Sequence, residues 1–170
     1  MEQTVFTIKA FQYKDVSAYK FIRLEALKNE PGNFGNSFQL ESAYSDQQWL
    51  DRVTNPNGVC FGLYTEDDLI GITSIIITNT EMPDEAYMTQ SYIRKDYRNQ
   101  GLSKILYEER IKWARDRKLK KLIIGHRESN QSSKHANQKF GFKYTHQEDR
   151  TWPDGATEPM LYYELILKDE

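Results

Sequence analysis

The stretch that decides the fold is Tyr92-Ile93-Arg94-Lys95-Asp96-Tyr97-Arg98-Asn99-Gln100-Gly101-Leu102-Ser103, which joins a strand-like run to a long helical pattern. We call its last six residues, 98–103, the cradle. Gly101 lets the backbone approach an anion without an intervening side chain. The first N–H groups of a helix have no internal partners and converge on such an anion. The cradle therefore predicts a phosphate site, and its geometry suits a pyrophosphate.

The helix after the cradle shows an apolar face of the kind that packs against a sheet. Its members are Leu102, Ile105, Leu106, Tyr107, Ile111, Trp113 and Ala114. A further β run, Lys121 to His126, follows this helix. Strand, cradle, helix and strand together predict a βαβ unit.

The rest of the chain alternates between strand and helix patterns. We predict strands at 4–11, 59–65, 69–78, 85–94, 143–148 and 160–168, with further helices at 15–29, 46–53 and 131–140. Asp15 is the predicted N-cap of the first helix. The isoleucines of 69–78 barely alternate, which is typical of a strand covered on both faces and therefore central. The pattern predicts one α/β domain over residues 1–170, with a mixed sheet.

Composition limits the classes of function. The chain has 170 residues and a formal net charge of −2, and its basic residues are dispersed apart from 117–121, so no nucleic-acid surface is predicted. Cys60, the only cysteine, lies in an apolar run and is predicted to be a buried thiol in a reducing compartment. No signal peptide or apolar run of about 20 residues is present. We predict a cytoplasmic protein without a membrane partner.

The three histidines do not predict a metal site. His126, His135 and His146 belong to different elements and lack ligand-spaced cysteines or carboxylates. His126 ends the strand after the cradle helix, where it is either a structural histidine or a relay for the proton of an amine. Ser132 and Ser133 open the next helix, so they either cap it or touch a cofactor.

The cradle stretch, with Asn130 and Lys139-Phe140-Gly141-Phe142 downstream, resembles the GCN5-related N-acetyltransferase (GNAT) family. The family signature is Arg or Gln, two residues, Gly, one residue, and Gly or Ala. This chain has Ser103 at the last position, a mild departure because a serine is also small. The resemblance implies the GNAT fold, a mixed central sheet of about seven strands flanked by about four helices.

The resemblance also implies acetyl-CoA as cosubstrate. The N–H groups of the cradle would hold its pyrophosphate, and the preceding strand would pair with the pantetheine. Ile93 would contact it near the thioester, and Asn130 would reach the pantetheine or the bound amine. The implied cofactor-binding set is Ile93, Arg98, Asn99, Gln100, Gly101, Leu102, Ser103, Asn130, Ser133 and Lys139.

Two departures from the family leave the proton path open. Asn137 replaces the tyrosine that many relatives use as general acid for the leaving thiolate. A water, Tyr144 or another tyrosine substitutes for it, or the thiolate leaves unprotonated. Tyr87 replaces a glutamate that some relatives use as base, and Glu85, two residues earlier on the same face, is a candidate base. The catalytic candidates are thus Glu85, Asn130 and Tyr144.

The acceptor candidates are Arg23, Phe34, Tyr87 and Trp152. Arg23 falls within the apolar face of the first helix, so it either snorkels at the rim of the core or reaches into a cleft. The resemblance implies acetylation of a primary amine by direct attack, and we expect a small-molecule amine. The alternatives are an idle acyl-CoA-binding sensor and an acetyltransferase of protein N-termini or lysines. A homodimer is left open.

Overall fold

The computed structural model describes residues 3–169. They contain seven strands and five α-helices. The strands are β1 (Phe6–Ala10), β2 (Gly58–Thr65), β3 (Asp68–Ile76), β4 (Glu85–Ile93), β5 (Lys121–Arg127), β6 (Lys143–Thr151) and β7 (Thr157–Ile166). The helices are α1 (Val16–Asn29), α2 (Phe38–Ser42), α3 (Asp46–Thr54), α4 (Ser103–Asp116) and α5 (Gln131–Lys139).

All seven strands form one mixed sheet in the order β1-β2-β3-β4-β5-β7-β6. Only β4 and β5 pair in parallel; the other neighbours are antiparallel. The predicted α/β class and mixed sheet are confirmed. The isoleucine-rich β3 is almost entirely buried between β2 and β4, as its lack of alternation predicted.

The helices cover both faces of the sheet. Consecutive residues of a strand point to opposite faces, and Cys60 and Phe61 on β2 accordingly enter two different apolar clusters. The cluster around Cys60 contains side chains of α1 and α3, whereas the one around Phe61 contains side chains of α4. The burial of Cys60 agrees with its sequence pattern, and burial raises the pKa of its thiol.

Two local details differ from the sequence prediction. The short helix α2 was not predicted; the Ser37 side chain caps it by accepting from the Leu40 N–H. Asp15 precedes α1 but does not cap it, because its carboxylate accepts from the Gln12 N–H and closes a 3-10 turn over Tyr13–Asp15. No helix within residues 3–169 is both long and apolar enough to cross a membrane.

Candidate active site

A cleft opens where β4 and β5 separate. The two strands pair in register only from Glu85 to Met88 on β4 and from Lys121 to Ile124 on β5. Beyond that point β4 pairs only with β3, and β5 pairs only with β7. The facing edges line a cleft of about 440 Å³ together with residues of α4, α5 and the loop after α1. An extended ligand can therefore lie between two strand edges.

The β4 side of the cleft contains a bulge. Gln90 and Ser91 together oppose Thr73, and Gln90 has a φ of 59°, in the left-handed region. The Gln90 side chain is held from the α1 side, because its Oε1 accepts from the Tyr19 hydroxyl at 2.6 Å. Such a backbone conformation persists only where surrounding contacts fix it.

The cradle lies at one end of the same cleft. Its backbone turns sharply, with φ values of 61° at Asn99 and 75° at Gly101, before α4 begins at Ser103. Among the described residues, the N–H groups of 99–103 donate to no protein acceptor. A Cβ built at Gly101 would meet no atom within 4 Å, so this glycine borders open space. Converging free donors beside open space suit a phosphate.

The family comparison agrees with this geometry. The family model described as "Acetyltransferase (GNAT) family" matches residues 23–142, which include the cradle, the separated strands and α5. The chain belongs to the GNAT acetyltransferase family. The predicted family, its acetyltransferase class and its typical cosubstrate acetyl-CoA are thereby confirmed.

Solved structures share the fold at low sequence identity. A GNAT-family acetyltransferase from Streptococcus pneumoniae has a TM-score of 0.81 at 18% identity, covering 96% of this chain and 100% of that one. An acetyltransferase from Salmonella typhimurium, solved with acetyl-CoA, has a TM-score of 0.81 at 16% identity, covering 98% and 96%. A ribosomal-protein-alanine N-acetyltransferase from Brucella melitensis has a TM-score of 0.77 at 21% identity, covering 95% and 99%.

Most of the predicted cofactor residues line this GNAT cleft. They are Ile93, Arg98, Asn99, Gly101, Leu102, Ser103, Asn130 and Ser133. Asn130 also caps α5, since its Oδ1 accepts from the Ser133 N–H. The Gln100 side chain does not line the cleft, but its N–H is among the free donors. Lys139 is exposed at the end of α5 and does not line the cleft, so the structure does not bring it together with the other predicted cofactor residues.

Two predicted catalytic residues lie elsewhere. Glu85 begins β4 near Asp84, and its carboxylate is 2.7 Å from the Lys121 ammonium, whereas β4 lines the cleft only from Met88 onward. Tyr144 lies on the edge strand β6 with half of its surface exposed, and its hydroxyl donates to Gln147. Neither residue lines the cleft, because Glu85 lies where β4 still pairs with β5, and Tyr144 lies on the edge strand beyond β7. The structure therefore does not bring these two catalytic candidates to the cleft.

Only some of the predicted acceptor residues line the cleft. Phe34 lines the cleft, whereas Tyr87 does not, because Tyr87 lies where β4 still pairs with β5. Trp152 is buried, and the guanidinium groups of Arg127 and Arg150 lie 5.2 and 5.1 Å from the centre of its ring. The structure therefore does not bring Tyr87 and Trp152 into the cleft with Phe34.

Arg23 does not reach the cleft either. It is buried, and its Nε and Nη2 each donate to the Glu41 carboxylate at 2.9 Å. Arg52 donates to the same carboxylate at 3.0 and 3.1 Å. Burial alone would raise the pKa of Glu41, but the hydrogen bonds and charges of the two arginines outweigh it and lower that pKa. Arg23 is an internal ion-pair residue rather than an acceptor ligand.

His126 lies in the cleft wall as a fully bonded histidine. Its Nδ1 is 2.6 Å from the Arg127 carbonyl oxygen and so carries the proton, while Nε2 accepts from the Tyr163 hydroxyl at 3.2 Å. Burial lowers the pKa of His126. Within residues 3–169, no group of three or more His, Cys, Asp or Glu side chains could hold a metal ion.

Sequence reasoning missed two residues beside the cleft. Tyr107 lines it, and the fully buried Arg110 lies next to Tyr107 on α4. The sequence pattern places Tyr107 only on the apolar face of the helix after the cradle. The spacing offered a signal, because Arg110 and Ala114 follow Tyr107 at helical intervals and a charge therefore interrupts the buried face.

Proposed function

We propose that this chain transfers the acetyl group of acetyl-CoA to a primary amine of a small molecule by direct attack. The observation that carries the proposal is the continuity of the site: the free N–H groups of 99–103 and the edges of the separated strands border one cleft. This donor set fits a pyrophosphate followed by an extended chain. Acetyl-CoA supplies an acetyl thioester, whose carbonyl carbon accepts the amine.

Direct attack is supported by the side chains that line the cleft. Cys60 does not line it, and its buried thiol has a raised pKa, so it is poorly suited to carry an acetyl group. The bulge at Gln90 and Ser91 exposes backbone groups of β4 to the cleft, where N–H donors can stabilise negative charge on an acetyl oxygen.

A small acceptor is supported by the loop after α1. Asn33 and Phe34 of this loop line the cleft. Two arginines hold the loop in place: Arg127 at the end of β5 donates to the Gly32 carbonyl at 3.2 Å, and Arg150 on β6 donates to the Gly35 carbonyl at 3.1 Å. These links fix the loop beside the cleft, and a cleft bordered by a fixed loop favours a small amine over a folded protein surface.

We also propose that the enzyme is a single domain and that it is cytoplasmic. Both β1 and β7, from opposite ends of the chain, join the one sheet, which supports a single domain over 1–170; residues 1, 2 and 170 lie outside the described part. The free thiol of Cys60 is compatible with a cytoplasmic location.

An acceptor screen tests the proposal. CoA release from acetyl-CoA is followed with a panel of small amines and with peptides of defined N-terminus and lysine content. We expect turnover with at least one small amine and negligible release without an acceptor. Release with peptides alone would replace the small acceptor by a protein, and binding of acetyl-CoA without release would favour a sensor.

A matched pair of glycine variants tests the cradle by calorimetry with acetyl-CoA. Gly101→Trp places an indole where the phosphate would bind, so we expect at least a tenfold weaker association, equivalent to about 1.4 kcal/mol. Gly155→Trp is the control, because Gly155 also has a positive φ and open space but lies in the β6–β7 turn. Unchanged acetyl-CoA affinity in a folded Gly101→Trp protein would refute the cradle assignment.

A further inference from the structure

This chain has Asn137 where many relatives have a tyrosine, but a neighbouring residue places a hydroxyl beside Asn137. Asn137 on α5 is buried, and its Oδ1 accepts a hydrogen bond from the hydroxyl of Tyr107 on α4. Both residues line the cleft. The phenolic group that this chain lacks on one helix is therefore present on the adjacent helix, at hydrogen-bonding distance from the substituted position.

The Tyr107 ring is fixed by aromatic packing. It stacks on Phe140 with ring centroids 4.2 Å apart and an interplanar angle of 12°, and it meets Phe142 edge-on at 6.1 Å. Only 6% of the residue is exposed. The hydroxyl is thus held in one place without needing to be ordered when a ligand binds, which is the arrangement expected of a preorganised donor.

The surroundings of Tyr107 are suited to a phenolate. The Asn137 Nδ2 is buried and has no acceptor among the described residues, so a turned amide could donate to the phenolic oxygen. Arg110 is completely buried, its Cζ lies 5.0 Å from the centre of the Tyr107 ring, and neither of its terminal nitrogens has an acceptor in the described chain. Unpaired buried donors are costly in a neutral site, but a negative oxygen nearby would compensate them.

Other tyrosines of the cleft are less suited. The Tyr92 hydroxyl is turned toward α1, where it donates to Glu25 at 3.0 Å and accepts from Asn29. Tyr97 belongs to the turn directly before the cradle. Among the described tyrosines that line the cleft, Tyr107 alone is bonded to the residue at position 137.

We propose that Tyr107 is a catalytic residue that donates its hydroxyl proton to the CoA sulfur as the thioester breaks. The step rests on the proposed acetyl transfer. The amine nitrogen bonds to the carbonyl carbon, the carbon–sulfur bond breaks with its electron pair on sulfur, and the Tyr107 proton passes to that sulfur. The phenolate then regains a proton, through water, from the one that the acceptor amine loses.

The acid–base properties of the pair are consistent with this role. Burial raises the pKa of Tyr107 to about 12, while the charge of Arg110 acts in the opposite direction, so the proton is present at neutral pH. Burial lowers the pKa of Arg110 to about 10, and this side chain therefore remains charged there. A charged guanidinium beside the ring stabilises the phenolate that proton donation creates.

The first test needs no acceptor. CoA is bound to the wild-type protein and to Tyr107→Phe, and the pKa of its thiol is measured in each complex from the ultraviolet absorbance of the thiolate. A hydroxyl that donates to the sulfur stabilises the thiolate, so removing it should raise the thiol pKa by about one to two units. Tyr64→Phe is the matched control, since the partly buried Tyr64 on β2 does not line the cleft.

The second test uses turnover with an accepted amine. We expect Tyr107→Phe to lower kcat by about 10²- to 10⁴-fold with the KM for acetyl-CoA changed less than about threefold. Failure of the proposed function would appear as missing turnover in the wild-type protein, whereas the thiol titration would still report on Tyr107. An unchanged thiol pKa in Tyr107→Phe, or full turnover by this variant, would overturn the assignment.

Discussion

Two buried guanidinium sites in this molecule have opposite surroundings. Between α1, α2 and α3, Arg23 and Arg52 share the carboxylate of Glu41, which is completely buried. On α4, Arg110 is equally buried, but its Nε donates only to the Leu106 carbonyl and its terminal nitrogens have no acceptor in the described chain. The first site balances its charge with a carboxylate; the second has none beside it.

The difference separates a charge that joins elements of the fold from one that lies beside the cleft. The Glu41 site joins three consecutive helices, and Arg52 continues through Tyr19 to Gln90 in the β4 bulge. The Glu41 site is thereby linked to the β4 bulge that lines the cleft, from the side of α1. Arg110 makes no such connection, and its nearest aromatic neighbour is a cleft residue. A buried charge with no counter-ion among the described residues fits the phenolate that the proposed reaction would form beside it.

The largest change in stability is expected when the carboxylate that Arg23 and Arg52 share is removed. Glu41→Gln leaves the buried Arg23 and the partly buried Arg52 without their counter-ion, so we expect a loss of about 3–5 kcal/mol in the free energy of unfolding. Urea denaturation measures it. Glu108→Gln is the control, because Glu108 forms only an exposed pair with Lys104 and should change stability by less than about 0.5 kcal/mol. Equal stability of the two variants would show that the Glu41 site is not structural.

At Arg110 we expect a smaller change in the free energy of unfolding, of opposite sign. Arg110→Leu replaces an unpaired buried charge by an apolar side chain, so the free energy of unfolding should stay equal or rise by about 1–4 kcal/mol. Arg23→Leu, the parallel change at the paired site, should destabilise the protein because it weakens the compensation of Glu41. The same denaturation series compares both variants. Destabilisation by Arg110→Leu as large as by Arg23→Leu would remove the distinction between the sites.

The smallest expected effect is a pH dependence of stability that arises from the buried His126, which can lose its charge. Burial lowers the pKa of His126 below the unfolded value of about 6.5, so the unfolded chain binds a proton first as the pH falls. His126 therefore contributes a stability that is complete above about pH 6.5 and declines below it. Urea denaturation at about pH 7.5 and about pH 5.5 should show a smaller loss in His126→Gln than in wild type.

His135→Gln is the control for this pH dependence. His135 is exposed on α5, and its replacement should leave the wild-type loss of stability at low pH unchanged. If His126→Gln and His135→Gln behaved alike, the burial of His126 would not contribute to the acid sensitivity of the fold.

Local patterns predicted much of the architecture. The isoleucines of β3 indicated a central strand, and the glycine at 101 with the helix behind it indicated the cradle, because both signals lie within one short segment. The candidates Glu85 and Tyr144 rest on the family resemblance together with strand position and residue type. Their exclusion from the cleft depends on the sheet order and on where β4 leaves β5, and neither is encoded within a single segment.

The sequence by itself determined the seven strands and a helix start able to hold a phosphate, because these follow from residue periodicity and from a glycine within a few positions. The family followed from the resemblance of its motif residues. The tertiary structure alone decided which side chains meet. Arg23 finds Glu41 across a helix turn and a loop, and Tyr107 finds Asn137 from another helix, 30 residues away. Periodicity tells which face of a helix is buried, but the packing of one element on another sets which atoms on those faces touch.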